Sequence, residues 1–123
     1  MNRLTGAVVG HGALAAALID AVERIAGPET GLVAISNTDC DRDTLERRII
    51  EAAGAGPAIV FIDMPSGSCM FAAMHRLGEL DTVRLVTGVN LAMLLEFVFH
   101  RDDPLDDVAA RVADAGTGAI GVR

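Results

Sequence analysis

Aromatic rings are nearly missing from this sequence: it has no Trp, no Tyr and four Phe in 123 residues. A protein that stacks bases or sugars on aromatic faces is therefore not expected. Basic residues are scarce as well. Ten Lys and Arg against 17 Asp and Glu leave a formal net charge of −7. The acids are spread along the chain, which argues against nucleic acid or an anionic membrane surface as partner. No apolar run reaches the ~20 residues that cross a bilayer, and Met1 to Val9 lacks the apolar core of a secretory signal. The two cysteines, Cys40 and Cys69, form neither a C-x-x-C pair nor a metal-ligand cluster. The expectation is a cytoplasmic protein with reduced thiols, no span across the membrane and no cofactor. No carboxylate pair or His cluster is available to hold a metal.

What is abundant is aliphatic. With 51% of its residues hydrophobic, the chain can bury one sizeable core, and residues 1–123 read as a single domain without linker, repeat or low-complexity segment. Ala, Val, Leu, Ile and Met suit helices packed on a parallel sheet. Leu4 to Val9 reads as a buried strand; Leu14, Leu18, Val22 and Ile25 then recur at helical spacing up to Gly27-Pro28. Leu32 to Ile35 is a second strand, followed by a polar loop from Ser36 to Asp41. Asp43 with Glu46 resembles a capping box for a helix carrying Leu45, Ile49 and Ile50 and ending near Gly54. Ala58 to Ile62 is a third strand, with a helix expected from Ser68 to Leu77. Val83 to Thr87 is a fourth, and Asn90 can cap a helix through Phe99. Asp103-Pro104 then opens a helix expected to end at Asp114, before a short apolar stretch from Ala119 to Val122. Such β-α alternation predicts a doubly wound α/β fold, mainly parallel, with helices on both faces.

In open α/β sheets the working groups sit at the carboxyl ends of the strands. Here those ends deliver Gly10-His11-Gly12, then Asp63 with a Ser/Gly-rich loop, then Gly88-Val89-Asn90. His75 and His100 fall within or at the end of helices and read as surface groups. Gly10-His11-Gly12-Ala13-Leu14-Ala15 matches the G-x-G-x-x-A dinucleotide fingerprint, but no acidic residue closes the second strand and the chain is short for a complete Rossmann domain. The other reading is that the glycines serve the imidazole. They keep the turn open so that a ligand can approach His11 and the backbone N–H groups that start the helix, an anion site in themselves. A carboxylate such as Asp63 on one ring nitrogen would fix the tautomer and leave the other nitrogen as a nucleophile. That describes a phosphohistidine site, with a structural His in a turn as the plain alternative.

The chain resembles the enzyme IIA domain of the mannose family of the bacterial phosphoenolpyruvate-dependent sugar phosphotransferase system. The resemblance rests on Gly10 to Ala15, on Asp63 with Gly67-Ser68, and above all on Thr87-Gly88-Val89-Asn90-Leu91-Ala92-Met93-Leu94-Leu95-Glu96. It implies that His11 accepts a phosphoryl group, through Nε2, from the histidine-containing phosphocarrier protein and passes it to an enzyme IIB. Asp63 would then hold Nδ1, and Gly12, Ser66, Gly67 and Ser68 would surround the phosphate. It also implies a homodimer built by exchange of a C-terminal antiparallel strand, which would begin near Ala119 to Val122 and be short here. Docking would use an apolar patch that Met64, Pro65, Met70 and Phe71 can supply, although a core role is the default for Phe71.

Four positions depart from the family pattern. Where Asp-x-x-Gly-Gly-Ser-Pro-x-Asn is usual, Ser66 replaces the first Gly, Cys69 the Pro and Phe71 the Asn; Ala92 replaces a usual Pro in the later block. Ser66 adds a Cβ to a turn where glycine permits positive φ. Cys69 is either a small hydrophobe or a reactive thiol at a helix N-terminus. A second function stays open: a stand-alone regulatory phosphoprotein whose phosphorylation state controls a partner rather than sugar transport.

Overall fold

Short runs of Ala, Val and Ile, buried on both faces in the two central strands, suit a parallel sheet covered by helices. A computed structural model describes residues 3–123 of the chain. Met1 and Asn2, the start of the segment read above for a secretory signal, lie outside the described residues. Among the described residues, four strands and five helices alternate: β1 (Thr5–Gly10), α1 (Leu14–Ala26), β2 (Leu32–Ser36), α2 (Arg42–Ala53), β3 (Ala58–Ile62), α3 (Ser68–Leu77), β4 (Val83–Thr87), α4 (Leu91–Phe99) and α5 (Leu105–Gly118). The sheet is parallel throughout in the order β2-β1-β3-β4, which is the doubly wound α/β fold. No helix among the described residues is long and apolar enough to cross a membrane.

Side-chain alternation sorts the core into two halves. Val8, Ile59 and Phe61 face α1, α4 and α5, meeting Ile19, Val22, Leu94, Phe97, Val108 and Val112. Ala7, Val9, Val60 and Ile62 face α2 and α3, meeting Leu45, Ile49, Ala72, Ala73 and Leu77. Two of the four phenylalanines lie in the first half, Phe61 and Phe97 touching edge to face with centroids 5.4 Å apart. Gly6 makes this closeness possible, because a Cβ there would lie 2.6 Å from Leu32 and 3.0 Å from the Phe97 ring.

Several details differ from the sequence expectation. The cap of α2 is Asp41, whose carboxylate accepts from the Thr44 N–H at 2.8 Å; Asp43 lies inside the first turn. Glu46 does not close a capping box. It is buried, with its carboxylate held by His75 and Arg76 of α3. The last helix runs four residues past Asp114, through two glycines. Gly116 is tolerated there because Met93 packs where its side chain would be and Asn90 Nδ2 donates to its carbonyl. Residues 119–123 form no strand in the single chain, and Ile120 and Val122 are exposed.

Candidate active site

Strand order decides which loops meet. β1 and β3 are neighbours, with Val9 opposite Ile62, and the crossovers from them leave in opposite directions, which opens a crevice at their carboxyl ends. The residues that follow are Gly10-His11 on one side and Asp63 on the other. The Asp63 N–H donates to Val9 O at 3.2 Å, so the carboxylate starts from a fixed backbone.

One oxygen of that carboxylate holds both ends of His11. Asp63 Oδ2 accepts from the His11 backbone N–H at 2.9 Å and from ring Nδ1 at 2.7 Å. The Asp63 side chain is 7% exposed and the His11 side chain 45%, so a buried acceptor orients a ring that solvent still reaches. An ionised carboxylate can only accept. Nδ1 therefore carries the hydrogen, and Nε2, without a partner among the described residues, keeps its lone pair. Asp63 Oδ1 is buried with no hydrogen-bond partner among the described residues. Gly10 lies beside this carboxylate, where a Cβ would make ordinary contact with Asp63 Oδ2 at 3.4 Å.

The glycine loops close around the ring. Gly12 has φ +58°; its N–H donates to Asn37 Oδ1 at 3.3 Å, and its carbonyl accepts from Ser36 Oγ at 2.7 Å. Gly67 has φ +97°, and a Cβ there would stand 3.9 Å from His11 Cε1. Ser66 does not take positive φ; the loop places its turn on Gly67 instead, so the serine is accommodated. The starts of α1 and α3 have no side-chain cap, whereas Asp41 caps α2 and Asn90 caps α4. First-turn N–H groups of two helices are thus free of side-chain acceptors beside His11, an arrangement that favours an anion. It leaves little for a dinucleotide, because Asp63 already occupies the His11 amide that a pyrophosphate would need.

Cys69 is fully buried, with Sγ 4.0 Å from His11 Nδ1. Burial, and then the Asp63 charge, push its thiol above the ordinary value, so it is not an activated thiolate. Met64 and Phe71 are about half exposed, Pro65 is exposed and Met70 is partly buried. Phe71 is thus on the surface rather than in the core, with the Arg42 guanidinium 4.0 Å above its ring.

A family model described as the PTS system fructose IIA component, of EIIA-man type, matches residues 7–113. The chain belongs to the EIIA-man family. The mannose-type IIA fold is shared with solved structures. Phosphotransferase system component EIIA from Streptococcus agalactiae is 20% identical with a TM-score of 0.88, covering 97% of this chain and 96% of that one. The mannose/sorbose specific IIA subunit from Enterococcus faecalis is 23% identical with a TM-score of 0.85, covering 99% and 96%. A sigma-54 interaction domain protein, also from Enterococcus faecalis, is 16% identical with a TM-score of 0.71, covering 94% and 92%. No curated protein sequence is a significant match. Membership places this chain among the components of the phosphotransferase system, with a phosphotransferase role in general.

Sequence reasoning passed over three parts of the site. Ser36 and Asn37, read only as loop, tie the His11 turn to the end of β2; their position at a strand's carboxyl end was the available signal. Cys69 is expected beside the site as a small hydrophobe or a reactive thiol, but its approach to the His11 ring, across 58 positions, has no local signal. Donor atoms of His11, Asp63 and Cys69, far apart in sequence, lie within 4.8 Å of one another. His75 is on the surface as expected and bonds Glu46, and His100 is half-buried, pairing with Glu96 and Asp103.

Proposed function

We propose that this EIIA-man domain is a phosphohistidine relay in which His11 Nε2 takes a phosphoryl group from the histidine-containing phosphocarrier protein and gives it to an enzyme IIB. The observation that carries the reading is the 2.7 Å bond from His11 Nδ1 to Asp63. It assigns the hydrogen to Nδ1 and leaves a nucleophilic lone pair on Nε2. That lone pair attacks phosphorus as the P–N bond to the donor's imidazole breaks. The His11 ring gains positive charge, which the buried Asp63 carboxylate offsets, while the phosphoryl oxygens meet Gly12, Ser66, Gly67, Ser68 and the open starts of α1 and α3. Gly12 joins them by giving up its long bond to Asn37. The leaving imidazole takes a proton from solvent or its own partner, and transfer to IIB repeats the step in reverse.

Met64, Pro65 and Phe71 offer the docking protein an apolar face beside the ring. A homodimer formed by exchange of residues around 119–123 gives the exposed Ile120 and Val122 a place to bury, and the cytoplasm supplies the carriers. Incubation with phosphoenolpyruvate, enzyme I and the phosphocarrier is expected to give acid-labile label on the wild type and none on His11→Ala. Label that persists in the variant would refute the site. The likeness to a sigma-54 interaction domain protein favours a second reading, in which phosphorylation reports to a regulator. Genes for a membrane permease and a IIB beside this one support transport; their absence supports regulation.

A further inference from the structure

The group of donor atoms around His11 is a better metal site than a phosphoryl relay requires. Nothing in the relay uses a sulfur, yet Cys69 Sγ lies 4.0 Å from His11 Nδ1, and Nδ1 lies 2.7 Å from Asp63 Oδ2. A tetrahedral zinc ion, with Zn–S ~2.3 Å and Zn–N or Zn–O ~2.0 Å, sets its ligands about 3.5 Å (N to S) and about 3.3 Å (N to O) apart. Both of these separations are within roughly 0.6 Å of that requirement, and the donor atoms of all three side chains lie within 4.8 Å of one another. A second observation points the same way. The Asp63 side chain is more than nine-tenths buried, and its Oδ1 has no hydrogen-bond partner among the described residues. A buried carboxylate oxygen without a donor is costly, and a cation held by the same carboxylate offsets that cost.

We infer that His11 Nδ1, Asp63 and Cys69 form a binding site for a soft divalent cation such as zinc, and that the bound ion blocks phosphoryl acceptance. Charge balances there: a neutral imidazole, a carboxylate and a thiolate meet an ion of charge +2. Water fills the fourth position. The ion takes the Nδ1 lone pair, so the ring hydrogen moves from Nδ1 to Nε2; the thiol proton leaves to solvent, one proton per ion. Nε2 then has no lone pair to offer phosphorus. Metal and phosphoryl group are mutually exclusive on one ring, without any movement of the backbone. Both nitrogens of His11 are used, one for each state. The site itself stands on geometry alone, whereas its effect on labelling rests on the proposed relay.

The probes are cobalt(II) and zinc(II) added to the whole chain under reducing, oxygen-free conditions. One equivalent of cobalt is expected to give a thiolate-to-metal charge-transfer band in the near ultraviolet, removed by one equivalent of zinc. Cys69→Ala and His11→Ala, each checked for folding by circular dichroism, should lose that band, and Cys40→Ala should keep it. Removing a direct ligand should weaken binding by more than the ~10–100-fold typical of an outer-shell partner. A wild type that gives no band, or a band that follows Cys40 instead, overturns the site. In the labelling assay zinc should lower the wild-type rate more than tenfold and the Cys69→Ala rate less than twofold, each against its own metal-free value. Equal inhibition of both overturns the block. A metal-free wild type that takes no label would defeat the relay, while the cobalt band would still decide the site.

Discussion

Asp63→Asn tests the site most directly, because it keeps shape and removes charge. Two outcomes are open to the amide. If its oxygen takes the place of Oδ2, both His11 bonds survive as neutral ones, and the NH2 sits where Oδ1 is now, buried and without a partner. If the NH2 takes the place of Oδ2, it faces two N–H groups, and the ring can respond only by moving its hydrogen to Nε2, which removes the nucleophile. The first costs less and sets the lower bound. Bonds to a charged group are worth ~1.5–3 kcal/mol and neutral ones ~0.5–1.5 kcal/mol, so two weakened bonds lose about 2–3 kcal/mol. At 1.36 kcal/mol for each tenfold, that is a rate ~30–150 times slower. The upper bound comes from a buried Asp that orients a catalytic His in hydrolases, where the same change lowers kcat ~10⁴-fold. Rapid-quench measurement of label on His11 should therefore show a fall between these bounds, near 10²-fold. The unpaired NH2 should also cost ~1–3 kcal/mol in urea unfolding. A folded variant labelled within threefold of wild type would refute the role given to the carboxylate charge.

Gly67→Ala puts a side chain on a backbone at φ +97° and ψ −175°, a region essentially reserved for glycine; a loss of ~1–3 kcal/mol in stability and slower labelling are expected, read by thermal unfolding and by the quench assay. At Gly31, φ +69°, a Cβ would fall on the Arg101 guanidinium that donates to Leu4 O. Gly31→Ala should lower the urea midpoint, and lower it less in an Arg101→Ala background; equal losses in both would show that the collision is not the cause. Glu46 gives a pH dependence. Burial raises its carboxyl, but hydrogen bonds from His75 and Arg76 outweigh burial and hold it below the ordinary 4.5. A depressed value means stability that is present above the unfolded value and lost as pH falls through the folded one. Glu46→Gln should flatten the decline of stability below pH 4.5, and a decline identical to wild type would refute the pairing.

The sequence-level reading succeeded where local chemistry is decisive. β3 is a continuous apolar run, and Asn90 caps α4 as its position suggested, accepting from the Met93 N–H at 3.1 Å. It failed where a residue's environment is made by distant chain. Asp41 and Asp43 are equally good caps in isolation. Glu46 looks like the partner of Asp43 until α3 brings His75 and Arg76 over it. Gly116 looks like a helix end until Met93 occupies the space beside it and Asn90 its carbonyl. Phe71 shows the same limit in reverse: hydrophobicity says core, whereas the phase of α3 leaves the ring outside beneath Arg42.

The site itself was half legible for a related reason. That His11 and Asp63 share one edge follows from both lying at strand ends, but their contact follows from β1 and β3 being adjacent, which no local pattern encodes. Once Val9 is paired with Ile62, the contact is close to forced. The carboxylate leaves its strand beside Gly10 and meets the next residue's amide and ring together. The same geometry explains why the departures around Asp63 do not dismantle the centre. The positive φ falls on Gly67 rather than Ser66, and Cys69 goes inward, under the ring, where it neither blocks Nε2 nor competes for Asp63 with a charge of its own. What the substitution at Cys69 adds is a soft donor on the Nδ1 side of the histidine. The nucleophilic face is therefore set by the two strands, and the face opposite is where this chain is free to differ.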